Sequence, residues 1–199
     1  MFNERVQSGR EVQRERTREH VITAAQSLFT EYGFADTTVR RIAAAAQVSV
    51  GTVMSVGDKD ALLIASFDRW IGAVHRGRAG DAAPVGANTA TSPIDRIGDV
   101  VQPFLDIFAA DMDLAREYGA VLARGTHSTE VFGELAVALH RDFATVFTDA
   151  GLGEDATAAA TAVYLAYLGL VMTSAITGND VAAIRTQIEG VAAVLIRRR

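Results

Sequence analysis

Apolar side chains recur every three to four positions along nearly the whole chain and nowhere alternate convincingly in steps of two. The pattern predicts helices throughout and no sheet. Ile22, Ala25, Leu28, Phe29 and Tyr32 share one face of a first helix, which Gly33 stops at its C-terminal end. Val39, Ile42, Ala43 and Ala46 form a short second face behind Thr37 and Thr38, the candidate N-caps. A third short helix is expected from about Ser49 to Val56, capped by Ser49 and broken at Gly57. A long fourth helix starts on Asp58 as N-cap and turns Leu62, Leu63, Phe67, Trp70 and Val74 toward a core. Residues 77–92 mix Gly, Pro, Ala and small polar residues and read as a loop. Ser92-Pro93-Ile94-Asp95 then reads as a helix start, and Pro103 is expected to kink the helix that follows. Further helices are expected over 112–124, 128–150, 154–177 and 180–198. Gly125, Gly151-Leu152-Gly153 and Gly178-Asn179 separate them. With about nine helices, the fold class is all-α.

Composition narrows this picture. At 49% hydrophobic and 22% charged residues the chain holds ample material for a core and does not read as disordered. Cysteine is absent, which removes disulfides and thiolate metal sites and fits a cytoplasmic location. The charged stretch from Glu4 to Glu19 lacks the apolar centre of a signal peptide. Residues 156–176 carry no charge and are long enough to span a bilayer, but Ala, Thr and Ser dilute them. A helix buried at a protein–protein interface explains them better. The net charge of −5 is uneven: residues 1–59 hold eight Arg and Lys against seven acids, +1, which leaves −6 for the remainder. That favours a head that can approach phosphates and a body that cannot.

Helix, tight turn and helix within residues 38–56 form the helix-turn-helix pattern, whose second helix needs only a few turns to reach base edges. From Val50 to Val56 that helix would span roughly 10 Å. Ser49, Gly51, Thr52 and Ser55 let a backbone come close and offer hydrogen bonds and methyl contacts. Taken alone, the same spacing also fits three ordinary core helices.

The run from Thr17 to Val53 closely resembles the DNA-binding head of the TetR family of transcriptional regulators. The resemblance lies in Ala24-Ala25, Leu28-Phe29, Tyr32-Gly33-Phe34, Thr37-Thr38-Val39-Arg40, Ile42-Ala43, Val48-Ser49 and Gly51-Thr52, then Lys59 and Leu62-Leu63. It covers about a quarter of the chain and implies a DNA-binding head over residues 1–57 and a ligand-binding, dimerising body over residues 58–199. It also implies roles at DNA. Thr37 and Thr38 would cap the second helix and touch phosphate, and Arg40 and Lys59 would approach phosphates. Val50 and Thr52 would face the groove, with Ser49 and Ser55 beside them. The chain departs from the family at Gln47, where the turn usually has Gly. It departs again at Met54, Ser55 and Val56, where an aromatic residue, often Tyr, is usual and one residue is missing before Lys59.

For the body, the resemblance implies a pocket among the middle helices and pairing of the last two helices with a second copy. Pocket candidates are Phe67, Trp70, Val74, Phe104, Phe108, Tyr118, Leu122, Phe132 and Phe143, an apolar and aromatic set that suits a small hydrophobic or aromatic effector. Tyr164, Leu168, Val171, Met172 and Ala175 make one apolar face of the penultimate helix, and Ala158, Ala162 and Ala166 a row of small residues. Ile184, Ile188, Val191 and Leu195 make a stripe on the last helix. Together they are expected to form the four-helix homodimer interface. His75, His127 and His140 form no close ligand pair, so neither a metal nor another cofactor is expected. No nucleophile–base grouping or phosphate loop points to an enzyme. The expected function is a ligand-responsive regulator, in all expectation a repressor, whose homodimer binds a palindromic double-stranded DNA operator. A dimeric small-molecule-binding protein with weakened or lost DNA binding is the other reading.

Overall fold

Local capping chemistry sets where the helices begin and end. A computed structural model describes the backbone of residues 2–80, 92–125, 131–177 and 180–197, and the side chains of residues 9–78, 92–125, 133–174 and 180–197. Within them lie nine α-helices, a single 3-10 turn (Gly153–Asp155) and no strand. The helices are α1 (Phe2–Asp36), α2 (Val39–Ala45), α3 (Val50–Val56), α4 (Lys59–Gly80), α5 (Pro93–Ala110), α6 (Met112–Ala123), α7 (Val131–Asp149), α8 (Ala156–Thr177) and α9 (Val181–Arg197). Ser92 accepts from the Asp95 N–H with Pro93 in the first turn, and Asp111 and Asp180 cap α6 and α9 in the same way. The expected loop is shorter than its sequence suggests, because α4 continues to Gly80; residues 81–91 lie outside the described residues. So do 128–130, 178–179 and 198 of the expected helices and gaps, together with His127. α5 stays helical on both sides of Pro103.

One continuous apolar core runs through the chain. α1 packs on α2, α4 and α6; α5 packs on α9 and α7; α8 lies against α6, α7 and α9. Helix α8 is long and apolar enough to cross a membrane by composition, with a mean hydropathy of 1.5. In this fold one side of it packs on the body, with Ala159, Ala160, Val163 and Tyr167 buried, and the other side is exposed. Buried polar links fix the helix pairs. Arg78 of α4 pairs with Asp142 of α7 at 2.8 Å and donates to the Val100 carbonyl of α5 at 2.8 Å. Arg96, buried on α5, reaches Asp149 at 2.7 Å. Arg185 of α9 lies across α5, bonded to Asp99 at 2.9 Å and Gln102 at 2.9 Å and held by Glu189 at 2.7 Å. It passes directly over Gly98, where an added Cβ would meet the Arg185 guanidinium and the Glu189 carboxylate.

At the centre, Phe67 of α4 stacks on Tyr118 of α6 with centroids 4.1 Å apart, lies 6.0 Å from Phe108 of α5, and takes the Trp70 ring edge-on at 5.1 Å. Truncating this buried side chain leaves a void between three helices. Phe67→Ala is expected to lower the unfolding free energy by about 3–5 kcal/mol, read as a fall in the urea midpoint at unchanged slope.

Candidate nucleic-acid interface and ligand cavity

The first three helices form a tripod around Val21, Ile22, Ala25, Phe29, Ile42, Ala43, Ala46 and Val53, and α4, packed on α1, adds Leu62 and Leu63 to the same buried cluster. Helix α1 breaks at Gly33, whose φ of 76° lies in the left-handed region. Thr38 then caps α2, its hydroxyl accepting from the Arg41 N–H at 3.2 Å. Thr37 corrects the sequence expectation. It is completely buried, and its hydroxyl is engaged inside the fold by the Gly33 carbonyl at 2.8 Å and the Leu28 carbonyl at 3.1 Å. It neither caps α2 nor presents its side chain to a phosphate; it fastens the end of α1 to the start of α2.

The turn between α2 and α3 closes by a six-residue backbone bond, Val48 N–H to Ala43 O at 3.0 Å, enclosing a shorter one from Gln47 N–H to Ala44 O. This geometry places Gln47 at φ 52°. A non-glycine residue there costs on the order of 1 kcal/mol, which the burial of the neighbouring helices must offset. Ser49 caps α3 through the Thr52 N–H at 3.0 Å, and its hydroxyl lies 2.8 Å from that of Thr52. Only Val53 of α3 faces fully inward. Val50 is 44% exposed and Met54 51% exposed one turn later, with Gly51 and Ser55 also on the surface. Met54, which the sequence offers only as a departure from a family pattern, thus belongs to the outward face of α3. Its spacing of four from Val50 is the signal that could have found it. Arg40 projects into solvent, whereas Arg41 is held over the Tyr32 ring at 3.8 Å and donates to Asp36 O. Lys59 sits over the Phe34 ring at 4.1 Å at the start of α4.

In the body a cavity opens between α4, α5, α6, α7, α8 and α9, with about 870 Å³ of empty space counting its open mouth. Four of the expected pocket residues line it: Phe104, Phe108, Tyr118 and Leu122. Phe67 backs Tyr118, Trp70 and Val74 pack against the core without bordering the cavity, and Phe143 is completely buried. The side chain of Phe132 lies outside the described residues.

Within one chain most of the expected pairing residues face inward, while Met172 is 37% exposed. Tyr164, Leu168, Val171 and Met172 border the cavity, as does Ile184, while Ile188 is completely buried and Val191 and Leu195 pack on the core. The Ala175 side chain lies outside the described residues. The outer face of α8 and α9 consists of small or lone apolar residues instead: Ala158, Ala162, Leu165 at 61% exposure and Gly169, with Ala182, Thr186, Gly190 and Val194 at 49%. A helix apolar all round satisfies two stripes at once, and its bulkier side chains went inward to fill volume. Burial raises the pKa of Tyr118, Tyr164 and Tyr167, with the Asp68 carboxylate adding to the rise at Tyr118, so these phenols stay protonated.

A short exposed helix on a three-helix tripod, joined by one long helix to a body with an apolar cavity, is the arrangement of a helix-turn-helix head on a helical body. Residues 21–65 match the family model for bacterial regulatory proteins of the tetR family. Solved structures share the fold across the chain. A TetR transcriptional regulator from Rhodococcus sp. RHA1 is 18% identical over 92% of this chain and 97% of its own, with a TM-score of 0.61. FadR from Thermus thermophilus, a TetR-family repressor solved with lauroyl-CoA, is 21% identical over 88% and 93%, with a TM-score of 0.60. BioQ, solved with its natural double-stranded DNA operator, is 22% identical over 88% and 98%, with a TM-score of 0.55. Among curated proteins none matches the chain by sequence. Over residues 21–65 the chain is thus similar to the tetR family of bacterial regulatory proteins, and along its length it shares the fold of solved TetR regulators.

The inward bonds of Thr37 make a direct test of the head. Thr37→Val, nearly equal in volume, is expected to lower the unfolding free energy by about 1–2 kcal/mol. Thr37→Ser keeps the hydroxyl and should recover most of that loss in the same denaturation experiment.

Proposed function

We propose that this chain is a cytoplasmic repressor whose homodimer binds a palindromic DNA operator and leaves it when a small hydrophobic effector fills the cavity. The observation that carries the reading is the outward face of α3. Val50, Thr52, Met54 and Ser55 stand clear of the core on a helix too short to serve packing alone. In this reading residues 1–57 form the DNA-binding head and residues 58–199 the body. Val50 and Met54 meet thymine methyls, Thr52 and Ser55 meet base edges or phosphate, and Thr38, Arg40 and Lys59 meet the backbone. The operator-bound BioQ structure and the acyl-CoA-bound FadR structure support, by likeness of fold, both a DNA partner and an apolar effector.

Two copies would pair through the outer faces of α8 and α9, where Ala158, Ala162, Gly169 and Gly190 allow close approach and Leu165 and Val194 supply apolar area. Pairing would hold two α3 helices about 34–36 Å apart, one DNA turn. An effector that favours a conformer with another spacing lowers operator affinity by no more than its preference between the two states. α4 is the connecting lever. Its first turn is tied to the end of α6 by Asp60–Arg124 at 2.7 Å, and Ile71 and the Phe67–Tyr118 stack place it against the cavity wall.

Gel-shift titration on DNA flanking the chain's own gene tests the core of this reading, and specific binding should weaken steeply with salt. Arg40→Ala is expected to reduce affinity on all sequences alike and to lower the log–log salt slope by about 1. Absence of specific binding at low salt would leave only the sensing body of the proposal. Leu165→Glu should turn the dimer into monomer in sedimentation analysis and weaken operator binding, with melting of the isolated fold little changed because Leu165 faces solvent in one chain.

A further inference from the structure

We propose that the cavity selects an uncharged ligand which sets a carbonyl oxygen against the Tyr118 hydroxyl; this rests on the cavity being the effector site. Tyr118 is 3% exposed, its ring lines the cavity, and its hydroxyl is buried with no hydrogen-bond partner. Folded chains rarely leave a buried hydroxyl in that state, and a ligand that completes it gains a bond the empty protein lacks. The phenol cannot swing away to find another partner, because Phe67 stacks on it at 4.1 Å with an angle of 14° between the rings and Phe108 flanks it. A protonated phenol in an apolar wall is a donor, so the ligand has to bring the acceptor.

The surroundings decide the ligand's charge. Arg116, the cation on the cavity lining, is nearly half exposed and engaged by Asp113 at 2.6 Å. Arg78, behind Phe104, gives one nitrogen to the Val100 carbonyl and the other to Asp142. Asp68 adds negative potential at the Tyr118 hydroxyl. A carboxylate seated there would give up its water for one hydrogen bond and no counter-ion, whereas a ketone, ester or thioester carbonyl loses far less. Of the other hydroxyls on this wall, Ser174 donates to Val171 O at 2.7 Å, and those of Tyr164 and Tyr167 are not among the buried groups left without a partner. Tyr118 is therefore the specificity-determining donor, the buried hydroxyl left unpartnered in a mainly apolar space that includes Leu135, Leu139 and Leu168.

Three probes with one heavy-atom skeleton separate these contributions: 4-phenylbutan-2-one, its hydrocarbon analogue 3-methylbutylbenzene, and the anion 3-phenylpropanoate. Calorimetric titration of the full-length protein is expected to give the ketone about tenfold tighter binding than the hydrocarbon, and the anion the weakest. In Tyr118→Phe, which removes only an unpartnered oxygen, ketone and hydrocarbon should bind alike. Equal binding of the two to the unaltered protein, or a preference that survives in Tyr118→Phe, overturns the role of Tyr118 and leaves the effector cavity standing. Tightest binding by the anion overturns the selection for neutral ligands. Ala115→Trp fills the cavity and should abolish binding of all three. Probes that bind that folded variant undiminished, or that bind neither protein, refute the cavity as effector site and the proposal with it.

Discussion

Phe67 leaves the middle of α4 to stack on Tyr118, and just over a turn earlier the same helix, packed on α1, gives Leu62 and Leu63 to the buried cluster shared with the head. An α-helix holds its residues in register through its own hydrogen bonds, so the seats of Phe67 and of Leu62 and Leu63 cannot be set independently. The alternative link, the Asp60–Arg124 ion pair, is half exposed on the arginine side. Such a pair contributes at most about 1 kcal/mol, against roughly 1.5–3 kcal/mol for burying one aromatic side chain. Packing therefore carries the connection between cavity and head, and charge trims it.

The fold was legible because its punctuation is local. Gly33, Ser49, Asp58, Ser92 and the Gly151 region each announce a helix end by their own chemistry, and the helices obey. The direction in which an apolar helix faces was not legible. α8 offers apolar residues on every side, so the Tyr164–Leu168–Val171 stripe read as an outer face equally well, and only the packing of α6 and α7 against it decides. Thr37 failed for a related reason: two adjacent threonines look alike in sequence, yet one hydroxyl turns outward as a cap and the other inward as a clasp. Trp70 and Val74 were drawn to the cavity by size and spacing, which report burial and not what lies beside it.

The outward face of α3 carries no charge, so in the proposed complex phosphate attraction has to come from its neighbours. Arg40 is exposed, while Lys59 is steadied by Phe34. In that complex this divides the labour: cations around the rim give affinity, and a patch of methyls and hydroxyls gives discrimination. Gln47 bears the cost of the tight turn that orients the patch.

The contact between α5 and α9 has a consequence for how this sequence can drift. Arg185 and Glu189 occupy the space that a side chain at position 98 would need, so glycine there and the long pair on α9 are one arrangement shared by three residues. A side chain at 98 would have to push these flexible ends aside, and the guanidinium would then lose its seat on Asp99 and Gln102.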